Sequence, residues 1–134
     1  MFLTVLGQPV PKGRPRFNRK TGAVYTPAAT ANHESLIQKT FLESKGHQLA
    51  GGPLRMRITF DMKIPKSWNK ARKAEAKTGY LRPTTGADCD NLAKCVADAL
   101  NILAYEDDSQ IVEMILVKKY STEPKTIINI ERVE

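Results

Sequence analysis

Acidic residues are scarce over most of this chain. Positions 1–87 hold four Asp/Glu against sixteen Lys/Arg, whereas positions 88–134 hold ten against five. Cysteine is nearly absent: Cys89 and Cys95 are the only two. That excludes a disulfide scaffold and falls short of the four protein ligands of a closed structural zinc site, so both thiols read as small core residues. His33 and His47, the only histidines, stand at no ligand-type spacing from acids or cysteines and are read as surface residues. No apolar run is long enough to cross a bilayer, so no membrane partner is expected. In MFLTVLGQPVPKGRPR the charges follow the apolar residues, the wrong order for a secretory signal. A cytoplasmic protein is expected. No P-loop, G-x-S-x-G or H-E-x-x-H occurs, which removes the nucleotide-cradling, serine-hydrolase and zincin readings.

With 134 residues, 41% hydrophobic and 26% charged, the chain predicts a single globular domain over 1–134. Its net charge of +7 attracts polyanions by counterion release. The charge is also clustered. Residues 8–20 read QPVPKGRPRFNRK, in which Lys12, Arg14, Arg16, Arg19 and Lys20 meet no acid. The prolines forbid helix and exclude a central strand. Arginine forks on a stiffened loop lose little entropy on binding phosphate. DNA is the expected partner of this loop; the alternative is a solvated linker.

Local patterns set out the elements. Residues 2–6 and 23–25 read as short strands. Thr26-Pro27 opens a helix to about Ser44, with Gly46 past its end and Leu36, Ile37, Phe41 and Leu42 as its buried stripe. Residues 54–64 alternate cleanly, with Leu54, Met56, Ile58, Phe60, Met62 and Ile64 on one face. Ser67 is the expected cap of a short basic helix, with Trp68 anchoring it to the core. Residues 111–120 and 125–132 read as strands joined by a hairpin turn and paired antiparallel. The sum is a small mixed or antiparallel sheet of about four strands with two main helices.

The acid is concentrated in residues 86–110, GADCDNLAKCVADALNILAYEDDSQ. Asp90 is the expected N-cap of a helix over 91–103 that buries Leu92, Cys95, Val96, Ala99 and Leu103. Lys94 stands one turn above Asp90, and Asp98 one turn further. Asp88 lies just before the helix, and Asp107 or Asp108 is the near source of a third carboxylate. Carboxylates are hard oxygen ligands suited to Mg²⁺ or Mn²⁺. With a lysine beside them they form a minimum site for metal-assisted phosphodiester hydrolysis. The alternative is that Asp88 and Asp90 merely cap. An EF-hand reading fails, since Leu92, Ala93 and Ala99 would occupy ligand, glycine and glutamate positions.

The run Asp88-Cys-Asp90-Asn91-Leu92-Ala-Lys94, followed by Ala99-Leu100 and then Glu106-Asp107-Asp108-Ser-Gln110-Ile111, resembles the D-x-D-N-x-x-K … D-D-x-Q-[IV] pattern of the RusA family of Holliday-junction resolvases, common in prophages. Pro9-Val-Pro11-Lys12-Gly-Arg14-Pro15-Arg16 and Tyr25-Thr26-Pro27 resemble the phage-type branch. The resemblance implies an α+β homodimer that binds four-way DNA junctions and nicks two strands symmetrically with Mg²⁺ or Mn²⁺ in recombination and repair. It implies Asp88, Asp90 and Asp108 as metal-holding catalytic residues and Lys94 as the essential lysine. Some members carry an arginine-rich run before the first aspartate and an aromatic on the helix. Here Gly86-Ala87 and Ala97 stand in those places, which shifts the expected DNA contacts to Lys12–Lys20. A non-catalytic DNA-binding protein and a nuclease for other branched DNA are the competing functions.

Overall fold

The computed structural model of the protein describes residues 1–45 and 50–133. Gly46 and His47 therefore lie outside the described residues. Six strands and three helices follow in the order β1 (Phe2–Leu6), β2 (Arg16–Phe17), β3 (Val24–Tyr25), α1 (Ala28–Lys45), β4 (Leu54–Lys63), α2 (Lys70–Thr78), α3 (Cys89–Leu100), β5 (Ile111–Ser121) and β6 (Lys125–Arg132). The fold is α+β. Strands β1-β6-β4-β5 make one mixed sheet, and β2 and β3 make a separate two-stranded ribbon out of the basic loop.

The alternation of β4 places it at the centre. It pairs antiparallel with β6 on one side and parallel with β5 on the other. The expected β5–β6 hairpin is therefore corrected: β4 lies between the two strands. The short Thr122–Pro124 link passes over the end of β4, whose Lys63 pairs with Ser121 and whose Asp61 pairs with Lys125. A strand apolar on every second residue gains most with a neighbour on each side. The parallel β4–β5 pair then needs a crossover, which α2 and α3 provide.

One sheet face meets the helices. Leu3, Val5, Met56, Ile58, Phe60 and Ile128 pack with Ile37 and Phe41 of α1 and with Leu92, Val96 and Leu100 of α3 in a single core. Each fully buried large apolar side chain of this kind contributes about 1.5–3 kcal/mol. The opposite face, which carries Phe2, Leu6, Arg57, Ile115 and Ile127 by register, is open. Phe2 is 66% exposed and Leu6 72%. Asp61 lies on this open face yet is only 2% exposed, between Lys125 at 3.0 Å and Lys119 at 3.6 Å.

Three local readings change. The buried stripe of α1 is Thr30, His33, Ile37 and Phe41, while Leu36 and Leu42 are exposed. The stripe is rotated because Thr30 Oγ1 accepts from Gly13 N and donates to Pro11 O, which docks the basic loop on that face. His33 is thus buried rather than at the surface, and burial lowers its pKa, against an opposing pull from Glu34. The cap of α2 is Asn69, which accepts from Arg72 N, rather than Ser67. Trp68 stands edge-on to Tyr120 of β5 at 5.2 Å, under the Arg72 guanidinium at 4.0 Å, so it anchors α2 to the sheet as expected.

Candidate active site

Helix α3 begins two residues earlier than its pattern suggests. Asp88, not Asp90, is the N-cap residue, and Asp90 falls in the first turn. Asp88 makes no side-chain capping bond. Among the described residues neither Asp88 nor Asp90 has a salt-bridge partner. Both carboxylates are exposed. A capping aspartate would normally satisfy a free helix N–H, so the capping reading leaves Asp88 unexplained. The helix itself is fixed from behind. Its inner face of Leu92, Ala93, Cys95, Val96, Ala97, Ala99 and Leu100 is buried, wide because alanines let α1 approach. Burial pushes the Cys95 thiol up to about 12, with Glu34 adding to the effect, and leaves it an inert core group.

The acidic pair after α3 divides into two roles. The chain leaves the helix through a turn in which Ile102 takes a φ of 71°, unusual for a β-branched residue. Ile102 N donates to Tyr105 O, and the Tyr105 hydroxyl, wholly buried, donates to Ala97 O at 2.7 Å. A 3-10 turn, Asp108–Gln110, follows. Asp107 caps it: its side chain accepts from Ser109 N, and Gln110 completes the box by accepting from Asp107 N. The Gln110 amide also donates to Ala50 O and Gly52 O, clamping the turn to the segment just before β4. Asp107 is thereby held below the usual carboxylate range by the Ser109 N–H and by Asp108. Asp108 makes no such cap, and its pKa is raised by Asp107 first, then by desolvation and by Asp98, with Lys94 opposing.

Lys94 extends from α3, with Nζ 3.4 Å from Asp98 Oδ1. The site residues foreseen from sequence are therefore on neighbouring elements: Asp88, Asp90 and Lys94 on the first turns of α3, Asp108 on the turn beside it. They are not drawn into one cluster. Among the described residues no three His, Cys, Asp or Glu side chains are grouped at metal-ligating distance. In chemistry the donor set fits a hard divalent cation, since Asp88 and Asp90 are uncommitted oxygen donors.

The basic loop lies against the same helix. Lys12 N donates to Asn91 O at 2.9 Å. Lys12 Nζ meets Glu34 Oε1 of α1 at 2.8 Å and Asp98 Oδ2 of α3 at 3.1 Å. Of the five expected DNA-contacting cations, Lys12 is thus engaged within the fold, while Arg14, Arg16, Arg19 and Lys20 are exposed. A cleft of about 370 Å³ between the loop and the start of α1 is lined by Arg14 and Arg16. Lys118 was missed by sequence reasoning. Its Nζ donates to Ala87 O at 2.8 Å and so fixes the peptide before Asp88. The available signal was a lysine on the core-facing side of β5, in register with Phe60.

No helix among the described residues is long and apolar enough to cross a membrane. The Bacillus subtilis (strain 168) protein YqaN is 38% identical over 134 aligned positions, which span 97% of this chain and 94% of that one. The family model for endodeoxyribonuclease RusA matches residues 7–131, from the basic loop through the acidic site to the end of β6. With both ends of the D-x-D-N-x-x-K … D-D-x-Q pattern on adjoining elements, the chain belongs to the RusA family of endodeoxyribonucleases.

Proposed function

We propose that this protein is a metal-dependent endodeoxyribonuclease, acting in the cytoplasm, that resolves four-way DNA junctions in recombination and repair by paired, symmetric nicks. The observation that carries the reading is Asp88: a carboxylate at a helix start that caps nothing, beside a free Asp90. Asp88, Asp90 and Asp108 would hold Mg²⁺, with Mn²⁺ as a substitute. The ion, when bound, supplies a polarised phosphate and a water of lowered pKa. Lys94 offsets negative charge building on the phosphoryl oxygens. Arg14, Arg16, Arg19 and Lys20 bind backbone phosphates, and Lys12 holds their loop to α3.

A junction with two-fold character needs two matched cuts, and the chain offers one site, so the working form is a C2 homodimer. The open sheet face with exposed Phe2 and Leu6 supports a self-partner. Light scattering at micromolar concentration tests it: a monomer with full junction cleavage would count against the dimer.

The ungrouped aspartates favour a second reading, a DNA-binding protein without catalysis. One assay separates the two. A synthetic four-way junction and a matched linear duplex are incubated with protein, with and without Mg²⁺. Symmetric nicks in the junction only with Mg²⁺ support the proposal. Binding without nicks in Mg²⁺ or Mn²⁺ sinks it, and equal cutting of other branched substrates moves it to a broader nuclease.

A further inference from the structure

Asp98 is used by none of the steps above, yet its two carboxylate oxygens hold two different lysines. Oδ2 lies 3.1 Å from Lys12 Nζ, and Oδ1 lies 3.4 Å from Lys94 Nζ. The first lysine belongs to the basic loop and the second to the acidic site. Lys12 is further fixed by Glu34 at 2.8 Å. These are sheltered groups: the side chains of Lys12, Glu34 and Asp98 are 22%, 18% and 25% exposed. Screening by solvent is therefore weaker for the Lys12 contacts than for a surface pair, whereas Lys94, 61% exposed, keeps an ordinary solvent-screened i,i+4 contact with Asp98. The loop cannot shift without disturbing the pair, because Lys12 N is bonded to Asn91 O and Gly13 is pressed on α1. A Cβ at Gly13 would come within 2.8 Å of Pro27.

We propose that Asp98 is a positioning residue that orients Lys94 for the reaction and, through Lys12, couples the seating of the basic loop on DNA to that orientation. The inference rests on the reading that Lys94 acts in cleavage. A free lysine on an exposed helix turn samples many rotamers. A carboxylate one turn on restricts its ammonium to the Asp98 side of α3. The same carboxylate is itself held by Lys12. A phosphate bound by Arg14 and Arg16 pulls on the loop and changes how much of Asp98 is left for Lys94. Seating of DNA would thus be registered at the catalytic lysine through one side chain.

The test measures single-turnover junction cleavage at saturating protein in Mg²⁺ and junction affinity in EDTA, for Asp98→Asn, Asp98→Glu, Lys12→Met and Lys94→Ala. Acylation of individual lysines in the DNA-free protein is followed in parallel by peptide mass spectrometry, with Lys39 as the reference. Asp98→Asn is expected to cut about tenfold slower or more, as misplacement of a reacting group does, with affinity changed by less than about threefold. Asp98→Glu recovers most of the rate, and Lys94 in Asp98→Asn is acylated faster than in wild type. A purely structural role would not change Lys94 reactivity selectively. Wild-type cleavage by Asp98→Asn, or unchanged Lys94 acylation, overturns the inference. If Asp98→Asn does not fold, Lys12→Met carries the test: a slower cut at saturation supports the coupling, and a wild-type rate refutes it. Lys94→Ala cutting at the wild-type rate would instead place the fault in the reading of the active site.

Discussion

Replacing Asp88 by asparagine separates the two roles open to that carboxylate. The substitution keeps shape and removes one negative charge. Because Asp88 makes no capping hydrogen bond, the fold has no bond to lose, and unfolding free energy should change by no more than about 0.5 kcal/mol. Cleavage should respond very differently. Losing one of two or three oxygen ligands of a divalent ion at the reacting phosphate should slow the cut by roughly 10²–10³. DNA binding without metal should move the opposite way. A carboxylate roughly 7 Å from a phosphate repels it by about 0.6 kcal/mol at the dielectric of water, so its removal tightens binding by up to about threefold. Salt shrinks that gain, since such a separation is comparable to the physiological Debye length. The assay pairs a urea titration, single-turnover cleavage in Mg²⁺ and junction affinity in EDTA at two salt concentrations. A variant that is equally stable, binds as well or better and does not cut fits the proposed site. A variant that cuts at the wild-type rate refutes it, and a variant that unfolds easily returns Asp88 to a structural role.

Other perturbations follow from the same geometry. Lys118→Met removes the donor to Ala87 O; it should cost about 1 kcal/mol in a urea melt and slow cleavage about tenfold by freeing the peptide before Asp88, and an unchanged cutting rate would show that this anchor is dispensable. Changing Arg14, Arg16 and Arg19 together to Ala should weaken junction binding and reduce its salt slope by about two to three without lowering the melting temperature, because exposed loop charges contribute little; affinity unchanged across a salt series returns the loop to a linker. His33 titrates below its ordinary value of 6.5 in the fold because it is buried. The unfolded chain therefore takes up that proton first, and stability present above pH 6.5 is lost as pH falls from there toward the folded value. Urea midpoints at successive pH values should decline over this window in wild type and less in His33→Gln; parallel curves would exclude His33 as the source.

Much of the site was legible because its residues are close in sequence. Asp90 and Lys94 are spaced by the helix period, and the pattern that predicts the helix also predicts their common side, while Asp88 stands two residues before Asp90 at the helix start. The two-residue error in its start arose because Asp88 and Asp90 are equally good capping types, and only backbone geometry chooses between them. The division of labour between Asp107 and Asp108 was out of reach from residues alone, since it depends on which carboxylate finds Ser109 N and on Gln110 reaching Ala50 and Gly52 across the fold. The same holds for Lys12, whose partners Glu34 and Asp98 come from two other elements. A loop charge looks free until tertiary neighbours are known. The hairpin between β5 and β6 failed for a related reason. A three-residue link fits a hairpin or a step across one strand, and the choice was made by β4, far away in the chain.

The placement of β6 between β1 and β4 also dictates an order of events in folding. It is the last strand in the chain, yet it occupies an inner position and, among the described residues, alone joins the first strand to the rest of the sheet. Until it emerges and inserts, β1 has no hydrogen-bonding neighbour, and the inner edge of β4 is bare. The helices and the β4–β5 pair can gather early around local and crossover contacts, but closure waits on the most distant pairing in the chain. Such non-local closure is slow. During synthesis the nascent protein would expose an apolar strand edge for as long as the ribosome takes to complete β6, the interval in which self-association and chaperone capture compete with folding.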